Sequence, residues 1–239
     1  MLTRAQRIAL REIQCRFPRG ELVLDVGFGA GEFLEALATA GYRLAGTEIT
    51  ESFWKSAQER LAQYQPWLMC TDRPNMCGGP LVAMTCFEVL EHVPDPAAFL
   101  ATMPRFVPTW FSVPNERRWW VAMTGKYEPW DYPPNHLRRF TRDALARALT
   151  EAGYRNVVVR EMRVAGREVL QPFLTAAAYR LGFQRNVGEY DQAVGNHSAL
   201  GALVRVGKTA TLPATALVAA GLNAWGYVGG NLLATGVKG

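Results

Sequence analysis

Leu22-Val23-Leu24-Asp25-Val26-Gly27-Phe28-Gly29-Ala30-Gly31 decides the fold, because an apolar run ends in an acid followed by three glycines at alternate positions. Leu22 to Val26 is short, apolar and rich in β-formers, the pattern of a strand inside a parallel sheet covered on both faces. Gly27, Gly29 and Gly31 carry no Cβ, so the backbone can turn tightly there and a ligand can lie against it. From Glu32 to Ala40 the placement of Phe33, Leu34 and Leu37 predicts a helix whose N-terminus opens at the same turn. A second strand over 43–47 follows Gly41 and closes on Glu48, about where a nucleotide-binding α/β unit places an acid that accepts both ribose hydroxyls.

Outward from this unit, strands are expected at 67–70, 81–86, 107–113 and 155–164, with a last one near 231–237. Helices are expected at 51–62, 96–103 and 141–152, the last opening on a Thr141 cap with Asp143 in its first turn and ending at Gly153. This alternation is that of a doubly wound α/β sheet. With 239 residues, 49% of them apolar and 20% charged, the chain reads as a single soluble enzyme domain. Its parts are an N-terminal amphipathic helix within 1–20, a core over 21–164, a helical insert over 165–230 and a final strand over 231–239. Cys15, Cys70, Cys77 and Cys86 show no C-x-x-C spacing and no secretory signal precedes them, which points to reduced thiols, a cytoplasmic location and no structural zinc.

Glycine triplets also serve nicotinamide and flavin enzymes, but there the usual spacing is G-x-G-x-x-G without an acid two residues earlier. The order Asp25-x-Gly27-x-Gly29-x-Gly31 instead resembles the first motif of class I S-adenosylmethionine (SAM) dependent methyltransferases. The likeness continues through Phe87-Glu88-Val89-Leu90-Glu91-His92-Val93-Pro94-Asp95-Pro96 and Ser112-Val113-Pro114-Asn115. It runs on into Tyr132-Pro133-Pro134-Asn135-His136-Leu137-Arg138-Arg139-Phe140-Thr141. These segments are similar to the branch that includes the ubiquinone-biosynthesis O-methyltransferases and many bacterial small-molecule methyltransferases. They cover about residues 20 to 165 in the expected order. The resemblance implies a Rossmann-like, seven-stranded sheet, mostly parallel, whose last strand is antiparallel and slots between its predecessors. It also implies SAM as cofactor.

On that resemblance Asp25 and the turn of Gly27, Phe28, Gly29 and Gly31 would hold the methionine portion of the cofactor. Glu48 would take the ribose, neighbouring Ile49 would also line the cofactor site, Asp72 would take the adenine amino group, and the main chain of Phe87 would complete the pocket. Asp72 reads equally well as a solvated loop aspartate. Glu88, Glu91 and His92, at spacings of three and four, are expected on one helical face directly after the fourth strand. Two carboxylates and an imidazole can bind a divalent cation. In ubiquinone O-methyltransferases this E-x-x-E-H pattern is a magnesium site for a catechol-like acceptor, whereas in related metal-free enzymes the same residues shape the pocket and cap the helix. His136, in the proline-stiffened loop Pro133-Pro134-Asn135-His136, is the first candidate for a general base or acceptor-orienting group, with His92 and Glu91 the other candidate catalytic residues. A histidine bonded to the backbone of its own loop is the structural alternative. His197 matches no motif.

Trp119, Trp120, Tyr127, Trp130 and Tyr132 could wall a flat apolar acceptor, and Arg117, Arg118, Arg138 and Arg139 could pair with an acidic group on it. The other reading is core aromatics with solvated arginines. Arg4, Arg7, Arg11, Arg16 and Arg19 alternate with Leu2, Ile8, Leu10, Ile13 and Phe17, giving an amphipathic helix that either packs on the sheet or touches a membrane surface or acidic partner. No charge occurs between Lys208 and Lys238, yet the helical portion from Pro213 to Trp225 is too short to span a bilayer, which leaves a buried or interfacial helix. The net charge of +5 is scattered and no nucleic-acid module is present. The function expected is methyl transfer from SAM to a small or lipid-like acceptor, on oxygen. The alternatives are a catalytically inactive SAM-binding partner subunit and a nicotinamide-dependent oxidoreductase, the latter disfavoured by the glycine spacing. Oligomeric state is not readable.

Overall fold

The computed structural model describes residues 2–76, 79–128, 131–170, 172–173 and 212–239. Seven strands form one sheet: β1 (Leu22–Val26), β2 (Arg43–Glu48), β3 (Trp67–Cys70), β4 (Leu81–Phe87), β5 (Pro108–Pro114), β6 (Tyr154–Arg163) and β7 (Val228–Lys238), in the order β3-β2-β1-β4-β5-β7-β6. Strands β3, β2, β1, β4 and β5 pair in parallel. β7 runs antiparallel to β5, from Pro108 opposite Val237 to Pro114 opposite Asn231. The sheet is therefore the one expected from the sequence, with the last strand inserted between β5 and β6. All five residues of β1 are buried, which is what a central parallel strand covered on both faces demands.

The helices are α1 (Arg4–Arg16), α2 (Glu32–Thr39), α3 (Glu51–Leu61), α4 (Pro96–Ala101), α5 (Trp119–Thr124), α6 (Arg142–Glu151), α7 (Gly166–Val169) and α8 (Leu212–Ala224). Helices α2 and α3 pack on β1, β2 and β3, and α4 packs on α6. The core beneath them is built from Leu24, Val26, Met84, Leu90, Leu100, Phe111, Leu145 and Leu149, with Phe111 edge-on to Tyr154. α1 opens on a capping box in which Thr3 and Gln6 satisfy each other's backbone N–H. Its buried stripe is Ala5, Ala9 and Ile13, so of the expected apolar residues only Ile13 is fully buried, and two alanines complete the face. Glu12 of α1 accepts from Trp110 Nε1 on β5 at 2.8 Å and from Arg160 on β6 at 2.6 Å, and Arg16 lies over the Trp110 ring. The helix is thus packed on the sheet.

Two differences from the sequence reading have simple causes. β7 begins at Val228, three residues earlier than expected, because Gly229 and Gly230 continue the strand instead of breaking it. A Cβ on Gly229 would sit 2.8 Å from the Arg163 carbonyl oxygen, so the close backbone approach requires glycine. Residues 119–124, unassigned in the sequence, form α5.

The residues group into two compact units, one of 1–115, 137–161 and 231–239, the other of 116–136 and 162–230. The second therefore joins residues 116–136 to the expected insert. Its core contains Trp119, Trp120, Val121, Val164, Val169, Ala219 and Leu222. Asn223 of α8 accepts from the Val164 N–H and donates to the Val164 carbonyl, tying α8 to the chain before α7. Among the described residues no helix is long and apolar enough to cross a membrane. Most of the expected insert, with His197, lies outside the described residues, as do Cys77 and Trp130.

Candidate functional site

In the first unit the candidate residues gather at the carboxyl ends of β1, β2 and β4, next to the point where the strand order reverses. The glycine turn holds Gly27, Gly29 and Gly31 at φ +72°, +53° and +76°. The Gly27 N–H donates to the Thr47 carbonyl at 2.7 Å, and the Gly31 N–H to the Phe28 carbonyl at 2.9 Å. A Cβ on Gly27 would meet Val89 Cγ2 at 2.4 Å, whereas one on Gly29 would meet nothing within 4 Å. Gly27 is therefore needed for packing and Gly29 faces open space. Phe28 lies directly on the Gly46 backbone of β2, supporting the turn.

Asp25, next to last in the first strand, has only 3% of its surface exposed. Burial pushes its carboxyl up to about 7; the hydrogen bond donated by Thr85 Oγ1 at 2.6 Å works against that rise and the Glu48 charge adds to it. Glu48, also buried, accepts from the Gly29 N–H at 2.8 Å and the Thr50 N–H at 2.9 Å. A carboxylate has about four acceptor positions, so this one retains capacity for ligand hydroxyls. Ile49 beside it is 71% exposed, an uncovered apolar side chain suited to a flat ring. Phe87, at the end of β4, is buried edge-on against Phe33. Asp72 is exposed beyond β3, in a loop that the Thr71 N–H ties to the Glu48 carbonyl at 3.0 Å. Buried carboxylates, an open cradle over Gly29 and an exposed apolar flank together fit a nucleoside that also carries a cationic group.

Glu88, Glu91 and His92 do not share a helical face. The chain turns immediately after β4 with Glu88 at φ +55°, and α4 starts only at Pro96 behind an Asp95 cap. Proline at 94 and 96 confines regular helix to the far side of that cap. Glu88 Oε1 accepts from Ser112 Oγ at 2.7 Å and Asn231 Nδ2 at 2.9 Å. Glu91 is 1% exposed with neither carboxylate oxygen hydrogen-bonded, and burial first, then the Glu88 charge, holds its carboxyl well above the usual range. His92 is exposed. Three polar residues next to these acids, Thr85, Ser112 and Asn231, escaped sequence reasoning. Ser112 stood in a recognised motif, but nothing local to residues 85 or 231 marks them.

In the second unit Arg118 is 2% exposed and forms a close ion pair with Asp131, with Glu128 at 3.8 Å. Its guanidinium lies 4.7 Å from the Trp120 ring centroid and 5.9 Å from that of Tyr127. The Glu128 N–H donates to Asp131 Oδ2 at 2.8 Å, and Asp131 Oδ1 faces His136 Nδ1 at 3.4 Å. The His136 N–H bonds the Tyr132 carbonyl. Trp119 and Trp120 follow the second of the two readings, as core residues of this unit, while Tyr127 and Tyr132 meet edge-on and Tyr132 is exposed. Arg118 is likewise committed within the protein, and Arg138 donates to the Pro94 carbonyl. Arg117 and Arg139 are exposed.

Residues 1–159 match the family model described as a methyltransferase domain. The chain is 33% identical over 168 residues to a ubiquinone biosynthesis O-methyltransferase of Thiobacillus denitrificans, an alignment covering 61% of this chain and 70% of that protein. Against the same-named protein of Methylococcus capsulatus it is 34% identical over 95 residues, 36% of this chain and 38% of that one. The chain thus spans well under half the length of the second relative. Among solved structures, it is similar to a SAM-dependent methyltransferase from Archaeoglobus fulgidus, with a TM-score of 0.55 and 16% identity, covering 98% of this chain and 94% of the other. At that identity the structural likeness speaks for the fold.

Proposed function

The chain belongs to the SAM-dependent methyltransferases, and from that membership we propose that it methylates an oxygen of a small, largely apolar or lipid-like acceptor, with His136 taking the acceptor's proton. Bound SAM supplies an electrophilic methyl group, so the protein's share of the work is alignment and, for a hydroxyl acceptor, removal of a proton. Asp25 and the Gly29 amide would hold the amino-acid end of the cofactor, Glu48 the ribose through its spare acceptor positions, and Ile49 and Phe87 would flank the base, with Asp72 at its amino group. His136 would receive the hydroxyl proton on Nε2. The observation that carries the choice of oxygen is the 33% identity to a protein named as an O-methyltransferase, over an alignment covering 70% of it. An acidic group on the acceptor is not part of the proposal, since Arg118, the buried cation that would best recognise it, is already paired.

A divalent ion would find a buried, unpartnered carboxylate in Glu91, but Glu88 is committed to Ser112 and Asn231. Glu91 and His92, with Glu88 Oε1 already engaged, would be the residues to hold a divalent ion if one binds. The test is turnover of trideuteromethyl-SAM by the purified chain with a 4-alkylcatechol, with and without magnesium, read by mass spectrometry. The expected product is the labelled methyl ether, with His136→Gln losing roughly 10²–10⁴ in kcat and retaining SAM affinity. Label found on carbon or nitrogen of other acceptors overturns the assignment to oxygen. SAM bound without turnover by any hydroxylated acceptor points to the inactive partner subunit.

A further inference from the structure

We propose that Asp131 is a positioning residue for His136: anchored by Arg118, it accepts the Nδ1–H of the imidazole and so leaves Nε2 as the ring's proton acceptor. The inference rests on the reading of His136 given above, but its first consequence, the tautomer, can be measured without turnover.

Asp131 is 1% exposed and its two oxygens have different tasks. Oδ2 receives the Arg118 guanidinium and the Glu128 N–H, and Oδ1 is left facing His136 Nδ1 at 3.4 Å. An ionised carboxylate can only accept hydrogen bonds, so the nitrogen facing it must carry the hydrogen. The carboxylate itself cannot swing away. Arg118 packs on the Trp120 and Tyr127 rings with Glu128 beside it, and the Asp131 N–H donates to the Glu128 carbonyl. The main chain that carries the imidazole is held by the His136 backbone N–H donating to the Tyr132 carbonyl. Such a buried carboxylate behind an imidazole fixes both ring orientation and tautomer.

Asparagine at 131 separates this role from a merely structural one. Its carbonyl oxygen would stay with Arg118 and the Glu128 N–H, which need an acceptor, and its NH₂ would turn toward Nδ1 and invert the tautomer. The experiment is long-range proton–nitrogen NMR of the ¹⁵N-labelled full chain, with His136 assigned by the signal lost in His136→Gln. It is paired with kcat and KM on the 4-alkylcatechol. The wild type is expected to show His136 as the Nδ1–H tautomer. Asp131→Asn is expected to show Nε2–H, with kcat down at least tenfold and the KM for SAM unchanged. Wild-type His136 in the Nε2–H form overturns the proposal, and this reading needs no variant to fold. So does unchanged kcat in Asp131→Asn where His136→Gln has lost it. If His136→Gln turns over at the wild-type rate, the proton-acceptor reading fails and the catalytic role of Asp131 falls with it, whatever the tautomer.

Discussion

Asp25 sits where water does not reach, and its titration should be visible in the stability of the ligand-free protein. Its carboxyl is raised from an ordinary 3.8 to about 7 by burial, against the Thr85 hydrogen bond and with the Glu48 charge adding. Between those values the folded state keeps a proton that the unfolded chain has lost. The Asp25 contribution is therefore complete below about pH 4 and disappears as pH rises through about 7. At about 1.4 kcal/mol per unit of pKa difference, the loss is on the order of a few kcal/mol. Asp25→Asn has no such dependence, so its thermal midpoint relative to wild type should climb from pH 4.5 to 7.5; a constant gap would contradict the buried assignment. The glycines give a second contrast. Gly27→Ala drives a Cβ into Val89 and should lower stability by about 1–3 kcal/mol in urea melts. Gly29→Ala meets no protein atom, so it should cost less stability while weakening SAM binding at least tenfold by calorimetry. At this scale the sequence was most informative where the site is contiguous. Asp25, Gly29 and Glu48 lie within one strand-turn-helix-strand unit, whereas Thr85 is 60 residues from Asp25 and Asn231 is 143 from Glu88. Asp131 stood in plain view beside His136, but only the buried Arg118 gives it a role.

Elements were legible where periodicity is long and unbroken, and every strand was found within about three residues of its observed ends. The exception that matters is 88–92, whose three-and-four spacing matches a helix but whose following prolines and left-handed Glu88 make it a turn. Spacing alone cannot tell a helical face from a tight turn. α1 shows the reverse case: its existence was clear and Ile13 is buried as its apolar pattern implies, yet the rest of its buried face is Ala5 and Ala9, small residues that carry little hydrophobic signal. Glu12 is its link to β5 and β6. Glu12→Ala leaves the indole N–H of fully buried Trp110 without its acceptor, and should destabilise the protein by about 1–3 kcal/mol in urea. Glu12→Gln, which keeps an acceptor, should recover part of that.

For the whole molecule, the alternation of elements gives the doubly wound sheet, and β7 lies antiparallel beside β5 as the family resemblance implies. The joining of residues 116–136 to the segment after β6 was not legible, since it depends on contacts among Trp119, Trp120, Val164 and Leu222 that are distant in sequence. A protein of this family should be stabilised by its cofactor. SAM at 100 times its dissociation constant should add about 2.7 kcal/mol and raise the thermal midpoint, while NADH leaves it unmoved. Transfer of the SAM methyl group to an acceptor oxygen is read from the reaction of trideuteromethyl-SAM with a 4-alkylcatechol. The labelled methyl ether should form, and its formation should collapse in His136→Gln. Label appearing on carbon or nitrogen, or ether formation undiminished in that variant, would contradict it.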